Sequence, residues 1–239
     1  MSKPGSAPAP AANMRHGGRI LADQLRILKA ELVFCVPGES FLGLLDGLHD
    51  HKDAIRTVAC RHEGGAVNMA EAYGKLTGKP GLAAVTRGPG ATNGSNGLHT
   101  ARQDSTPMIL FVGQVSREHF DREGFQEIDY RRMFGEVAKW VAQIEDAARI
   151  PEYISRAWAI AQEGRPGPVV LVLPEETLSD TADVPDIRIP AIAEAAPTPA
   201  AIARLGEMIA AAKNPVMMIG GGAWSAETAA AAAAFAEAQ

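Results

Sequence analysis

The sequence predicts an α/β protein: a doubly wound, mostly parallel six-stranded sheet with helices on both faces, followed by the truncated start of a second Rossmann-like α/β domain. Three observations carry this. From Ile20 onward, helical and strand-like segments alternate with short punctuation, the pattern of βαβ units. Two glycine-rich turns, Val36-Pro37-Gly38-Glu39-Ser40 and Thr86-Arg87-Gly88-Pro89-Gly90-Ala91-Thr92-Asn93, fall at predicted strand ends, where such folds meet ligands. A stretch holding Pro174, Pro185, Pro190, Pro197 and Pro199 among small and acidic residues then separates this pattern from a shorter one that contains Gly220-Gly221-Gly222.

The Pro/Ala-rich start from Met1 to Asn13 lacks the hydrophobic core of a signal peptide, and residues 1–17 are expected to be a disordered tail. A helix over 19–30 leads into a strand over 32–36, the apolar run Leu32 to Val36. Helix 40–50, strand 56–60 and helix 64–77 follow, then strand 81–86, helix 92–103 and strand 108–113. A looser stretch from Gln114 to Asp129 precedes helix 129–135, strand 138–143, helix 146–163 and strand 168–173. Residues 18–174 therefore form one domain and 175–198 a linker. Helix 199–212, strand 215–219 and an Ala-rich helix to Gln239 open a second α/β unit. One strand cannot bury a sheet, so the chain is expected to be an amino-terminal portion of a larger protein.

A hydrophobic content of 46% with 21% charged residues is that of an ordinary globular protein. The formal charge of −5 and the lack of long Lys/Arg runs argue against nucleic acid or an anionic membrane and leave a small molecule as the partner. No run of 18 apolar residues suggests a membrane span. Cys35 and Cys60 sit in apolar runs with neither zinc nor disulfide spacing, which predicts inert thiols in a cytoplasmic protein. The six histidines show no metal-ligand spacing, so no metal site is expected within these residues.

Chemistry concentrates at Arg61-His62-Glu63-Gly64-Gly65-Ala66, directly after the apolar run Thr57 to Cys60. The turn delivers Glu63 to the carboxyl edge of the sheet, and Gly64 and Gly65 remove side chains beside it, so a flat ligand can come close. Glu63 is the candidate catalytic residue; a first-turn acid favoured by the helix dipole is the alternative. Gly88-Pro89-Gly90 is a side-chain-poor loop after which Thr92 or Asn93 can cap the next helix. Neither glycine loop is a Walker phosphate loop, and Ser225 stands where a dinucleotide fingerprint after Gly220 wants Gly or Ala.

In order, VPGES (Val36 to Ser40), RHEGGAVNMAEAYGKLTGKPG (Arg61 to Gly81), TRGPGATN (Thr86 to Asn93), DSTPMILFVGQV (Asp104 to Val115), FQEID (Phe125 to Asp129) and EGRPGPVVLVLP (Glu163 to Pro174) resemble the amino-terminal pyrimidine-binding domain of thiamine-diphosphate enzymes, above all the acetolactate synthase large subunits. The resemblance covers about residues 18 to 175, and the triple-glycine segment resembles the start of that family's central domain. It implies that Glu63 hydrogen-bonds N1′ of the cofactor's aminopyrimidine and so favours the tautomer whose 4′ nitrogen takes the thiazolium C2 proton. A 2-keto acid such as pyruvate then loses carbon dioxide, and the two-carbon unit passes to a second keto acid.

By the same resemblance, Pro37, Gly38, Pro89, Gly90, Asn93 and Gln126 bind or support the cofactor. Glu39, Phe125 and Lys139 match positions near the substrate channel, and Ser105 and Arg165 match positions that touch FAD in flavin-containing members. Arg165 also serves a plain turn, Gly164-Arg165-Pro166-Gly167-Pro168. Two departures bear on the substrate: Glu39 stands where acetolactate synthases have a second glycine, and Lys139-Trp140 replaces their Lys-His pair. The family's Gly-Asp-Gly…Asn-Asn motif is absent from this sequence, which places the Mg2+ ligands outside it. The implied assembly is a homodimer or homotetramer. Another thiamine-diphosphate decarboxylase or carboligase, and a noncatalytic flavin- or nucleotide-binding protein of the same fold, are the alternatives.

Overall fold

A computed structural model describes residues 13–222 and 224–238. The tail expected before Asn13 lies outside the described residues. The chain begins with β1 (Arg15–His16), α1 (Gly17–Ile27), β2 (Leu32–Cys35), α2 (Leu42–Asp50) and β3 (Arg56–Ala59). It continues through α3 (Glu63–Thr77), β4 (Gly81–Val85), α4 (Pro89–Asp104), β5 (Met108–Gln114), α5 (Tyr130–Phe134) and β6 (Trp140–Gln143). Then come α6 (Ile150–Gln162), β7 (Pro168–Pro174), α7 (Glu175–Ser179), β8 (Thr181–Ala182), α8 (Pro199–Ala211) and α9 (Ala226–Ala238).

Six strands form one all-parallel sheet in the order β3-β2-β4-β5-β7-β6. Strands buried on both faces read as continuous apolar runs, and alternate residues supply the two sides. Ile109 and Phe111 of β5, with Val169, Leu171 and Leu173 of β7, pack with Leu21, Leu25, Leu44 and Trp158 from α1, α2 and α6. Met108, Leu110 and Val112, with Val170 and Val172, pack instead with Val67, Leu98 and Phe134 from α3, α4 and α5. The two cysteines divide between these cores, Cys35 on the first and Cys60 at the margin of the second. Burial pushes the Cys35 thiol up to about 11, which keeps it protonated and inert.

Four sequence expectations are corrected. Arg15 and His16, assigned to the tail, pair antiparallel with Thr181 and Ala182, which had been assigned to the linker. Arg15 explains this: its guanidinium reaches Asp23 at 2.7 Å, Asp186 at 2.8 Å and the Val184 carbonyl at 2.6 Å. The first part of the expected linker is also folded, as α7 and β8. The buried Gln24 amide holds the backbone beyond them, donating to Ile187 O at 2.7 Å and accepting from Ile187 N at 2.9 Å.

The expected strand 215–219 does not form. Val216 and Met218 are 86% and 93% exposed, and a strand with no neighbour has nothing to pair its backbone groups. Finally, α4 starts at Pro89 rather than Thr92, because a proline at the first helical position has no N–H to leave unpaired and a φ already suited to the helix.

Candidate functional site

From β2 the chain crosses to β3 on one side and then returns to β4 on the other. The carboxyl ends of β2 and β4 therefore bound the switch-point crevice, where ligands enter folds of this kind. After β2 come exposed Pro37, Gly38 and a short 3-10 turn, Glu39–Phe41, with Glu39 exposed and Ser40 buried. After β4 come Thr86, Arg87 and Gly88. Ser40 ties the two turns together: its Oγ lies 2.8 Å from Thr86 Oγ1 and accepts from Arg87 N at 3.3 Å. A Cβ on Gly38 would fall 2.7 Å from Thr86 Cβ, so glycine permits this approach.

Glu63 is the first residue of α3. Its cap is His62, whose Nδ1 accepts from Gly64 N at 3.0 Å and thereby satisfies one of the helix's unpaired donors. Glu63 is left half-buried at the amino end of α3. Asn93 Nδ2 donates to Glu63 Oε2 at 3.0 Å. Because α4 begins at Pro89, Asn93 is past the capping position and its amide is available to the carboxylate. Thr92 Oγ1 donates to the Gly88 carbonyl at 3.1 Å and does not cap. The other carboxylate oxygen, Oε1, lies 3.5 Å from where a Cβ on Gly90 would be, so Gly90 keeps the space beside it open.

The stretch from Gln114 to Asp129 closes over the second turn. Gly88, at φ 58°, donates its N–H to Tyr130 Oη at 2.8 Å, and a Cβ on it would sit 2.6 Å from Gln126 Cβ. Gln126 itself has φ 65°, a left-handed conformation uncommon for a residue with a side chain. Phe125 is 75% exposed. Beyond Gln126, an open cleft of about 800 Å³ runs past Gln114, Asp129, Tyr130 and Gln143 at the ends of β5 and β6. Glu63 and Asn93 do not line that cleft, so the carboxylate and the larger hollow are separate parts of one edge.

The structure thus groups Gly38, Glu63, Gly90, Asn93 and Gln126, and places Pro37, Glu39, Pro89 and Phe125 on the same turns. It sets Lys139, Ser105 and Arg165 at the opposite edge, because each lies next to the start of a strand or the end of a helix leading to one. There Lys139 Nζ donates to the carbonyls of Ile160 and Glu163 at the end of α6. Burial, assisted by Arg102, lowers the affinity of the Lys139 amine for its proton. Ser105 and Arg165 meet directly, Arg165 Nε donating to Ser105 Oγ at 2.7 Å and Nη2 to the Gln103 carbonyl at 3.0 Å. A Cβ on Gly222 would lie 4.0 Å from Ser105 Cβ, which brings the triple-glycine segment to this edge.

Ser40, Arg87 and Tyr130 were not singled out in the sequence. Ser40 and Arg87 lie inside quoted motifs and were open to notice, whereas nothing local marks Tyr130. Among the described residues, no three His, Cys, Asp or Glu side chains gather as a metal site, and no helix is long and apolar enough to cross a membrane.

Fold and site together define a ligand-binding α/β domain whose switch-point crevice carries the Glu63 carboxylate among glycine-rich turns. Residues 15–133 match the family described as thiamine pyrophosphate enzyme, N-terminal TPP binding domain. The chain is 35% identical over 213 residues to the acetolactate synthase large subunit of Lactococcus lactis subsp. lactis (strain IL1403), covering 86% of this chain and 36% of that protein. It is 37% identical over 214 residues to the probable acetolactate synthase large subunit of Methanococcus aeolicus, covering 87% and 35%. Against the acetolactate synthase isozyme 3 large subunit of Escherichia coli (strain K12), the identity is 33% over 219 residues, covering 89% and 38%. Residues 15–133 thus belong to the family of N-terminal TPP binding domains of thiamine pyrophosphate enzymes, and the chain, similar to acetolactate synthase large subunits, spans little more than a third of the length of these relatives.

Proposed function

We propose that this chain is the pyrimidine-binding part of an enzyme that decarboxylates a 2-keto acid such as pyruvate and transfers the two-carbon unit to a second keto acid. The carrying observation is Glu63, held on one oxygen by Asn93 and left open on the other beside Gly90. The residues fit thiamine diphosphate: a carboxylate with an unhindered oxygen suits a ring nitrogen that must gain a proton, and the glycines leave room for a flat ring. When bound, the cofactor supplies the electron sink that makes loss of carbon dioxide feasible.

Glu63 carries the proton exchanged with the pyrimidine N1′. Asn93 fixes the carboxylate's orientation, and Gly38 and Gly90 set the ring's approach. Pro37 and Pro89 stiffen the two turns, and Gln126 is placed to meet cofactor or substrate across Gly88. Glu39 and Phe125, exposed on the same edge, face incoming substrate. Residues 15–187, with β1, α7 and β8 included, form the pyrimidine-binding domain, and 199–239 the start of a central one. The diphosphate and Mg2+ are assigned to residues outside this sequence, contributed by a second subunit in a homodimer or homotetramer. Arg165 and Ser105 are the assigned contacts to FAD, with the Gly220–Gly222 segment beside them. Lys139 is assigned to the substrate channel, and the protein to the cytoplasm.

The test is product analysis by mass spectrometry on the protein that carries this sequence, supplied with pyruvate, thiamine diphosphate and Mg2+. Acetolactate is expected from the wild type and a loss of roughly 10²–10⁴-fold from Glu63→Gln, the usual worth of a positioned proton-transfer group. Undiminished turnover in Glu63→Gln overturns the role given to Glu63, and absence of acetolactate overturns the assigned reaction.

A further inference from the structure

Arg87 is the side chain that joins the Gln126 turn to the body of the domain. Residues 121–126 hold three non-glycine residues in the left-handed region, Asp121 at φ 60°, Glu123 at 54° and Gln126 at 65°. Such residues persist only where their surroundings hold them. The outer part of the turn holds itself, since Glu127 accepts from Asp121 N at 2.9 Å and from Gly124 N at 3.0 Å. The root is held by Gln114, which donates to Ile128 O at 2.9 Å. Between these, the hydrogen bond made to Phe125 or Gln126 by another part of the fold, among the described residues, comes from Arg87 Nε to Phe125 O at 3.1 Å.

The same guanidinium pairs through Nη1 with Glu175 at the start of α7, and its side chain is only 14% exposed. Its backbone is fixed as well, because Arg87 N donates to buried Ser40. The next residue, Gly88, is the one whose Cβ position Gln126 occupies. Arg87 is therefore a rigid fork with one prong on the domain and the other on the turn, directly beside the contact that sets Gln126's height above Gly88. Arginine suits this, since its planar group serves two acceptors at fixed angles.

We infer that Arg87, anchored by Glu175, is a positioning residue that holds the Phe125–Gln126 turn in its left-handed conformation over Gly88. The latch stands on the geometry alone; its value for cofactor or substrate rests on the proposed function.

Hydrogen exchange read by mass spectrometry on the full 239-residue chain tests it. In Arg87→Ala, amides of residues 121–128 are expected to exchange roughly tenfold faster, the scale of one lost charge-assisted hydrogen bond. Amides of β5 and β7 are expected to keep their rates. Arg87→Lys keeps the charge but has no fork to reach both Glu175 and the Phe125 carbonyl, and should restore the protection only in part. Glu175→Gln should give a smaller acceleration in the same segment. Unchanged exchange in 121–128, acceleration shared equally by β5 and β7, or full restoration by lysine would each overturn the latch. A parallel titration with thiamine diphosphate and Mg2+, made on the longer protein that carries this sequence and supplies the assigned diphosphate and Mg2+ residues, separates the two readings. Added protection at 121–128 in the wild type, reduced in Arg87→Ala, supports both. If the cofactor adds none while Arg87→Ala still loosens the turn, the cofactor reading fails and the latch stands.

Discussion

The two edges of the sheet carry equally conspicuous polar residues and treat them in opposite ways. At the amino edge, Lys139 is spent on two carbonyls at the end of α6, and Arg165 on Ser105 and the end of α4. At the carboxyl edge, Glu63 has, among the described residues, a single side-chain partner, and the space beside its second oxygen is kept clear by a glycine. A charged group whose hydrogen-bonding capacity is used within the fold reports on stability, whereas one left partly unused at a switch point is available to a ligand. Prominence in the sequence does not separate these cases; the partner's identity does.

The contrast is sharpened most by Glu63→Gln, which should reduce turnover by roughly 10²–10⁴-fold and leave the thermal midpoint within a degree or two of wild type, as fits a half-buried position outside both cores. A large fall in midpoint would instead make Glu63 a structural acid.

Next in size is Asp23, the buried carboxylate on α1 that receives Arg15, Arg19 and His51. Burial alone would raise its affinity for a proton, but hydrogen bonds from Arg15, His51 and Arg19 outweigh it and hold the group below its ordinary 3.8. A depressed folded value means that this stabilisation is present above the unfolded value and is lost as pH falls below about 4 through the folded one. Asp23→Asn should cost ~3–5 kcal/mol at neutral pH by leaving Arg15 without its buried partner. It should also flatten the acid limb of stability measured by urea titration across pH. A variant that keeps the wild-type slope removes Asp23 from that account.

Lys139→Met tests the amino edge. Losing the charged donor from two carbonyls should cost ~1.5–3 kcal/mol in urea unfolding, and an unchanged midpoint would show that its charge is not used by the fold. Smallest is His62→Ala, which removes the cap of α3 and should cost ~1 kcal/mol, with Asn expected to recover most of it. A larger loss of cofactor affinity than of stability would show that the cap also orients Glu63.

The six strands and the helices between them were legible because apolar runs bounded by glycine and proline turns are local signals. The carboxyl-edge turns were legible for the same reason, since strand, turn and helix follow one another in the chain. The misplaced strands fell where a partner distant in sequence decides, and the misplaced helix start where one local signal outweighs another. Thr181 and Ala182 are a strand only because Arg15 and His16 lie beside them, and residues 215–219, with strand-like composition, have no neighbour and remain irregular. Thr92 and Asn93 have good capping chemistry, but Pro89 starts the helix earlier and turns Asn93 toward a carboxylate 30 residues away.

By itself, then, the sequence determined the alternating α/β order, the glycine-rich turns at the strand ends, and the carboxylate at the start of α3. Only the tertiary structure decided that Asn93 holds Glu63, that Gln126 lies over Gly88, and that Arg87 reaches both Phe125 and Glu175. The reason is physical: hydrophobic pattern and turn chemistry act through neighbours along the chain, whereas a hydrogen bond to a residue 30 or 88 positions away exists only once the sheet has brought the two together.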